Sequence, residues 1–359
     1  MELSTVPYIR WAKYEGLMGE HRLTASAVPP IDWSDIGLDP ATLKLTEFSP
    51  YGPSEVFDRL QEDWGVDPSG VVLGASASHA HFCFGASLVK PGDVIVHEVP
   101  GYLPLVDALS MLRVKTVPFQ RRFDESYRLD VEQLKKTVIE NDAKLVLLTD
   151  LHNPSGVSLG KEALLSIAEM CEVTGCHVII DEMYRGFLDP DPGPACLLHP
   201  RIISVWGLNK IHGISQVRFG WGCATPELAD RARRVFDSTT LHTSCLTDQV
   251  ARAAMTHLDP LTQRGRRYAQ EGWGIFSDWL QQQDLAVIPP DGGLTCFPEV
   301  PKEIARDGDH FRELCMEQGL NVTPGRFFGA SQHVRIGFGL EEAQLKPALD
   351  ILAKVLNPS

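Results

Sequence analysis

No stretch of this chain approaches the ~18 uninterrupted apolar residues of a membrane-crossing helix, and its opening, Met-Glu-Leu-Ser-Thr-Val-Pro-Tyr, has neither a basic region nor an apolar run. We expect a cytoplasmic protein with no membrane partner. Positive charge is also scarce: 33 Lys and Arg stand against 47 Asp and Glu, a formal net charge of −14. Phosphate backbones are bound through clustered Lys and Arg, so that balance argues against a nucleic-acid partner and for a small molecule. The eight cysteines lack CxxC or CxxH spacing, so we expect eight reduced thiols, most of them buried. Internal repeats, low-complexity tracts and Gly/Ser linkers are missing too, and the domains should pack together rather than hang from a tether.

At 359 residues the chain is longer than one core usually grows. We expect an N-terminal segment (residues 1–45) lying on the small domain or on a dimer partner, a large domain (46–240) and a small C-terminal domain (241–359). From Val71 to Cys223 short β-branched runs alternate with helical stretches, the pattern of a mainly parallel α/β sheet sandwiched by helices. Strands are expected at Asp93–His97, Val114–Val117, Lys144–Thr149, His177–Asp181, Ile202–Trp206 and Phe219–Cys223. One intervening helix, Lys161–Thr174, should stop at Gly175. After Thr225 longer helices are expected at Pro226–Asp237, Thr247–His257 and Gln263–Gln283. Short strands at Ala286–Ile288, Asn321–Thr323 and His333–Phe338 and a closing helix near Glu341–Leu356 complete a smaller α+β domain.

Ligands of an open parallel sheet sit beyond the carboxyl ends of its strands. Four polar clusters stand there: Asn153-Pro154-Ser155-Gly156, Asp181-Glu182-Met183-Tyr184, Gly207-Leu208-Asn209-Lys210 and Arg218-Phe219-Gly220-Trp221. In this order, with a Lys eight residues before the Arg, they resemble the fold-type I pyridoxal 5′-phosphate (PLP) enzymes, specifically the class I/II aminotransferase family. The resemblance runs from about Leu45 to the C-terminus and is most specific between Asn153 and Trp221.

The resemblance implies PLP as cofactor, residues 46–240 as the PLP-binding domain and a homodimer. It places the Schiff base on Lys210, which would also move the proton between Cα and the cofactor. Asp181 would pair with the pyridine N–H, Asn153 and Tyr184 would hydrogen-bond the phenolate oxygen, and Tyr102, in Pro100-Gly101-Tyr102, would stack on the ring. Ala77-Ser78-His79-Ala80 opens a helix whose amides, with the Ser78 hydroxyl and Arg218, would hold the phosphate. Arg335, in His333-Val334-Arg335-Ile336-Gly337, would fork onto the substrate α-carboxylate, beside Asn153. Tyr51 falls where family members reach the neighbouring subunit's phosphate.

Two departures stand out. Gly207 replaces the Ser or Thr that usually precedes the lysine by three, so Gly207→Ser is expected to restore a phosphate donor if the backbone there is not at positive φ. Asn209 replaces another Ser or Thr, and either donates to the phosphate or faces the substrate. His79, His152 and His212 lie close enough in sequence to serve as acids or bases. His79 and His81 find no third ligand nearby, and no metal is expected. The expected function is PLP-dependent amino-group transfer from an L-amino acid. Elimination, replacement, cyclisation or decarboxylation from the same residues is the alternative, and a non-catalytic PLP-fold binding protein is a third reading.

Overall fold

The computed structural model describes residues 5–358; residues 1–4 of the expected N-terminal segment, and residue 359, lie outside it. At its centre is a seven-stranded sheet: β1 (Val71–Gly74), β2 (Val94–Val99), β3 (Lys115–Gln120), β4 (Leu145–Thr149), β5 (His177–Asp181), β6 (Ile202–Gly207) and β7 (Gly220–Cys223), in the order β1-β7-β6-β5-β4-β2-β3. β7 runs antiparallel to both neighbours, and the other pairings are parallel.

Both faces of the sheet are covered, which is why β4 reads as a continuous apolar run rather than an alternating one. Leu145 and Leu147 join one buried cluster, with Ile179, Ile203 and Phe84. Val146 and Leu148 point the other way, into a cluster with Val178, Ile180 and Ile167. The chain adds β3 on one side of β2, but β4, β5 and β6 on the other. That reversal opens a crevice at the carboxyl ends of β2 and β4.

Helix α1 (Ala77–Leu88) starts directly after β1, capped by Ser76, whose Oγ accepts from the His79 amide at 3.3 Å. α2 (Gly160–Thr174) stops at Gly175, at φ 71°. α3 (Pro226–Thr239) has Pro226 at its first position.

The division expected at 240/241 is displaced by packing. α4 (Cys245–Thr256) places Val250, Ala251, Ala254 and Met255 in one cluster with Val71, Trp206 and Trp221 of the sheet. The long helix α5 (Leu258–Leu280) spans both units: Leu258 and Leu261 join that cluster, while Phe276 sits in the C-terminal core with Leu23, Val334 and Leu349. We therefore place the division inside α5.

The C-terminal unit holds a three-stranded antiparallel sheet, β8 (Thr295–Cys296), β9 (Thr323–Pro324) and β10 (Val334–Gly337), with β10 in the middle, and closes on α6 (Glu342–Leu356). Residues 286–288, expected as a strand, form none; they run into Pro289 and Pro290, which have no N–H to pair. The strand expected at Asn321–Thr323 is two: Leu320–Asn321 pairs with His21–Arg22 of the N-terminal segment, and Thr323–Pro324 pairs with β10.

Candidate active site

Ala77, Ser78, Tyr102, Asn153, Asp181, Tyr184, Asn209, Lys210 and Arg218 all line one small cavity of about 120 Å³ at the crevice. Residues more than a hundred positions apart meet there because each follows the carboxyl end of a strand, opens α1, or, for Arg218, precedes the amino end of antiparallel β7. Asp181 ends β5 level with Thr149 of β4. Its Oδ1 accepts from the Met183 amide at 3.0 Å. Burial raises its carboxyl to about 7, against the opposing pull of that hydrogen bond and of Lys210. A desolvated carboxyl with one hydrogen-bond donor is a site for a cation or an N–H.

Lys210 lies three residues beyond β6, and its Nζ donates to Ser26 Oγ at 3.0 Å. Burial lowers its amine to about 8, Arg335 and Arg218 pulling the same way, with Tyr8 and Asp181 opposing. The Tyr184 hydroxyl donates to the Ser26 carbonyl at 2.8 Å. Tyr102 meets Tyr8 edge to face, centroids 5.6 Å apart.

Arg218 is held at φ 60°. With its amide oxygen turned toward Arg218, Asn209 accepts from Nη1 at 2.8 Å and donates to the Phe219 carbonyl at 2.8 Å. Neither that contact nor the 3.5 Å one to the Ser215 carbonyl is with an anion, and Ala77 and Ser78, which open α1, line the same cavity. A cation and a helix N-terminus together make a phosphate-shaped cradle.

Gly207 shapes that cradle from behind. It is absent from the glycines at positive φ, but a Cβ there would stand 2.6 Å from both Gly220 Cα and the Phe219 carbonyl oxygen. Gly220 in turn faces the Ala77 amide nitrogen, 2.3 Å from where its own Cβ would lie. The two glycines let β6, β7 and the start of α1 close on one another, so the expected gain from Gly207→Ser is corrected to a loss.

Arg335 lies behind the cavity rather than in its wall, on the central strand β10. Its Nη1 donates to Asn153 Oδ1 at 3.1 Å, and its Nη2 donates to the Tyr8 hydroxyl at 2.9 Å and to the Thr24 carbonyl at 3.4 Å. Its Nε is buried without a partner. Among the described residues no carboxylate pairs with this guanidinium, though it is 1% exposed. Tyr51 stays on the surface, its hydroxyl 3.4 Å from Asp237.

The histidines face elsewhere. His152 is fixed between Ser155 Oγ (2.6 Å) and the Pro100 carbonyl (2.8 Å), His212 meets Thr262 Oγ1 at 3.2 Å, and His79 meets Thr239 and Thr240. Among the described residues no group of His, Cys, Asp and Glu is arranged to hold a metal, and no helix is long and apolar enough to cross a membrane.

The sequence reading misses Tyr8, Thr24, Ser26, Ser76, Thr149 and Ser215. Ser76, Thr149 and Ser215 stand beside strand ends or the lysine segment and were open to the same logic. Tyr8, Thr24 and Ser26 carry no local signal, because they reach the site only through tertiary packing of the N-terminal segment. Beyond Lys210 a wider cavity of about 1080 Å³ opens, sharing Tyr8, Ser26, Tyr102, Lys210 and Ser215 with the small one.

The donor set fits PLP: an amine of lowered basicity, a desolvated carboxyl with no ion-pair partner among the described residues, amide and phenol donors, and an arginine beside a helix N-terminus. The fold matches solved structures throughout. A PLP-dependent aminotransferase from Streptococcus suis aligns with a TM-score of 0.91 at 22% identity, covering 99% of this chain and 98% of that one. Aspartate aminotransferase from Thermus thermophilus, solved with maleate, aligns at 0.88 and 20%, covering 99% and 97%. Among curated relatives, capreomycidine synthase of Streptomyces vinaceus is 25% identical over 99% of this chain and 94% of its own length. An aspartate aminotransferase of Geobacillus stearothermophilus is 21% identical over 87% and 84%. The family model for aminotransferase class I and II spans residues 42–352, and the chain belongs to that family of PLP-dependent enzymes.

Proposed function

We propose that this enzyme transfers the amino group of an L-amino acid to a 2-oxo acid, with Lys210 as the covalent anchor of PLP. When bound, PLP withdraws electrons from the substrate Cα and carries the amino group between half-reactions. Asp181 would hold the pyridine N–H, Asn153 and Tyr184 would face the phenolate oxygen, and Tyr102 would cover the ring. Arg218, Ser78 and the Ala77 end of α1 would take the phosphate, with Asn209 orienting Arg218.

The observation that carries the substrate class is Arg335, a fully buried guanidinium that no carboxylate among the described residues pairs. Leaving such a charge unpaired is costly, and a ligand carboxylate matches its two-pronged geometry. Lys210 Nζ stands where the two cavities join. With its amine at about 8, roughly a tenth is uncharged at pH 7, far more than for an ordinary lysine, and free to take a proton from the substrate side. Ser26 Oγ holds that nitrogen in place.

A homodimer completes the reading. Leu45, Phe48 and Tyr51 are 79%, 69% and 43% exposed in the single chain, a surface for a second copy, and Tyr51 would meet the neighbour's phosphate. Eight unpaired thiols suit the reducing cytoplasm.

The match to a synthase over nearly the whole chain favours a second reading, in which the same residues support cyclisation, replacement or elimination. One experiment separates the two. PLP-loaded protein given a panel of single amino acids without acceptor should release one equivalent of 2-oxo acid per subunit and stop, restarting when a 2-oxo acid is added. Sustained turnover without acceptor, or a product that keeps its amino group, rejects transamination in favour of the second reading.

A further inference from the structure

The proposed chemistry leaves one buried acid unused. Glu98, the penultimate residue of β2, is 3% exposed, and both its oxygens are occupied. Oε2 accepts from Arg121 Nη1 at 2.8 Å, while Oε1 accepts from the amide and the hydroxyl of Thr149 at 2.7 and 2.5 Å. Thr149 Oγ1 accepts in turn from the Asn153 amide at 2.9 Å, and Asn153 Oδ1 accepts from Arg335. An unbroken path therefore links Arg121, Glu98, Thr149, Asn153 and Arg335. It ties the carboxyl ends of β3, β2 and β4 to the central strand of the C-terminal sheet. All five side chains are buried.

The path has a direction. The Thr149 hydroxyl has a single proton, and the Glu98 carboxylate takes it, so the oxygen's lone pairs are left for the Asn153 amide. At the far end Arg335 holds Asn153 Oδ1, which leaves the carboxamide N–H₂ for the cavity. A buried ion pair is weak grounds for stability, since apolar residues of like volume often hold strands as well. What this pair adds is orientation. The Gly101 turn, which presents Tyr102, wraps the same acid: a Cβ at 101 would lie 2.4 Å from the Glu98 carbonyl oxygen and 3.0 Å from its Cγ.

We propose that Glu98, locked by Arg121, is a positioning residue that acts through Thr149 to set Asn153 against the cavity and against Arg335. This rests on the reading that Arg335 receives the substrate carboxylate. The test compares Thr149→Val, Thr149→Ser, Glu98→Gln and Arg335→Lys with the parent, all PLP-loaded and assayed with one amino acid the parent turns over. Thr149→Val should raise KM about tenfold with a smaller change in kcat, and Thr149→Ser, which keeps the hydroxyl, should restore KM to within about twofold. The pH midpoint of the bound cofactor's visible absorbance should shift in the Val variant and return in the Ser variant, and Glu98→Gln should move both readouts in the Val direction. The threonine variants leave the ion pair intact and carry the test alone if Glu98→Gln fails to fold. Unchanged KM and absorbance midpoint in Thr149→Val, with KM raised in Arg335→Lys, would overturn the positioning role and leave the carboxylate reading standing. Equal impairment by Val and Ser would overturn it as well, reducing residue 149 to packing. An unchanged KM in Arg335→Lys would overturn both readings.

Discussion

Replacing Gly207 by Ser tests whether the phosphate cradle depends on shape or on donor count. By donor count, a hydroxyl three residues before Lys210 should tighten PLP by about 1 kcal/mol. By shape, the new Cβ would stand 2.6 Å from the Gly220 Cα and from the Phe219 carbonyl, and backbone atoms do not yield as a side-chain tip does. Overpacking of this kind costs about 1–3 kcal/mol. The displaced partner is Gly220, which abuts the Ala77 amide, so part of the strain reaches the helix end proposed to bind phosphate. We expect Gly207→Ser to lower the thermal midpoint by several degrees, and to weaken PLP binding by up to roughly 150-fold, the limit if all of that strain fell on the cradle. Titration of cofactor-free protein with PLP, beside thermal unfolding, reads both. Gly207→Ala, which adds the Cβ without the hydroxyl, should do the same. PLP binding as tight as the parent's in Gly207→Ser, with an unchanged midpoint, would refute the steric argument.

Three further outcomes follow from the site. Borohydride reduction of PLP-loaded protein should add the cofactor's mass to the peptide bearing Lys210, and a modified protein with that peptide unchanged would remove the anchor. Arg335→Ala should weaken amino-acid binding by about 1.5–3 kcal/mol, the scale of a hydrogen bond to a charged group, while PLP loading measured by absorbance stays constant; equal substrate affinity would move the carboxylate site. Asp181→Asn reports on pH. Burial lifts the Asp181 carboxyl to about 7, above its unfolded value of about 3.9, so the native state keeps a proton that the unfolded chain has lost. The stability this gives is full below the unfolded value and drains away as pH rises through about 7. In cofactor-free protein the thermal midpoint of Asp181→Asn, neutral throughout, should therefore climb relative to the parent between about pH 5 and pH 8. A constant difference would show that Asp181 is not held in its neutral form.

The large domain is the more legible half of this chain, for a reason visible in β4 and β5. Their aliphatic runs are too short for helices and too continuous for half-exposed strands, and only a sheet covered on both faces satisfies them. Each such strand ends in a polar residue, and the sheet's geometry gathers those ends without further information. That accounts for Asn153, Asp181 and Lys210 sharing one cavity. The C-terminal unit is less legible because its strands are two to four residues long, with too few residues to show a period. Leu320–Asn321 and Thr323–Pro324 are separated by one residue yet pair with different partners, a distinction that lies in tertiary packing alone. Helix α5 defeats a domain boundary drawn from sequence for a related reason: its apolar face changes partner midway, and periodicity shows the face but not what covers it.

Gly207 illustrates a different kind of limit. Within the lysine segment it reads as a missing hydroxyl, because the sequence displays the side chain that is absent and not the backbone that fills its place. The occupants are the Phe219 carbonyl and Gly220, twelve and thirteen residues on, and Gly220 is itself pressed by the start of α1. The N-terminal segment makes the same point from the opposite side. Tyr8, Thr24 and Ser26 have no motif around them, yet Ser26 supplies the acceptor for Lys210 Nζ and for the Tyr184 hydroxyl, and Tyr8 holds Arg335. The seat of the N-terminal segment has a chemical consequence here. The same stretch that pairs His21 and Arg22 with Leu320 and Asn321 also bridges the strand bearing Arg335 to the lysine, so a change in how that stretch seats would be felt at both groups at once.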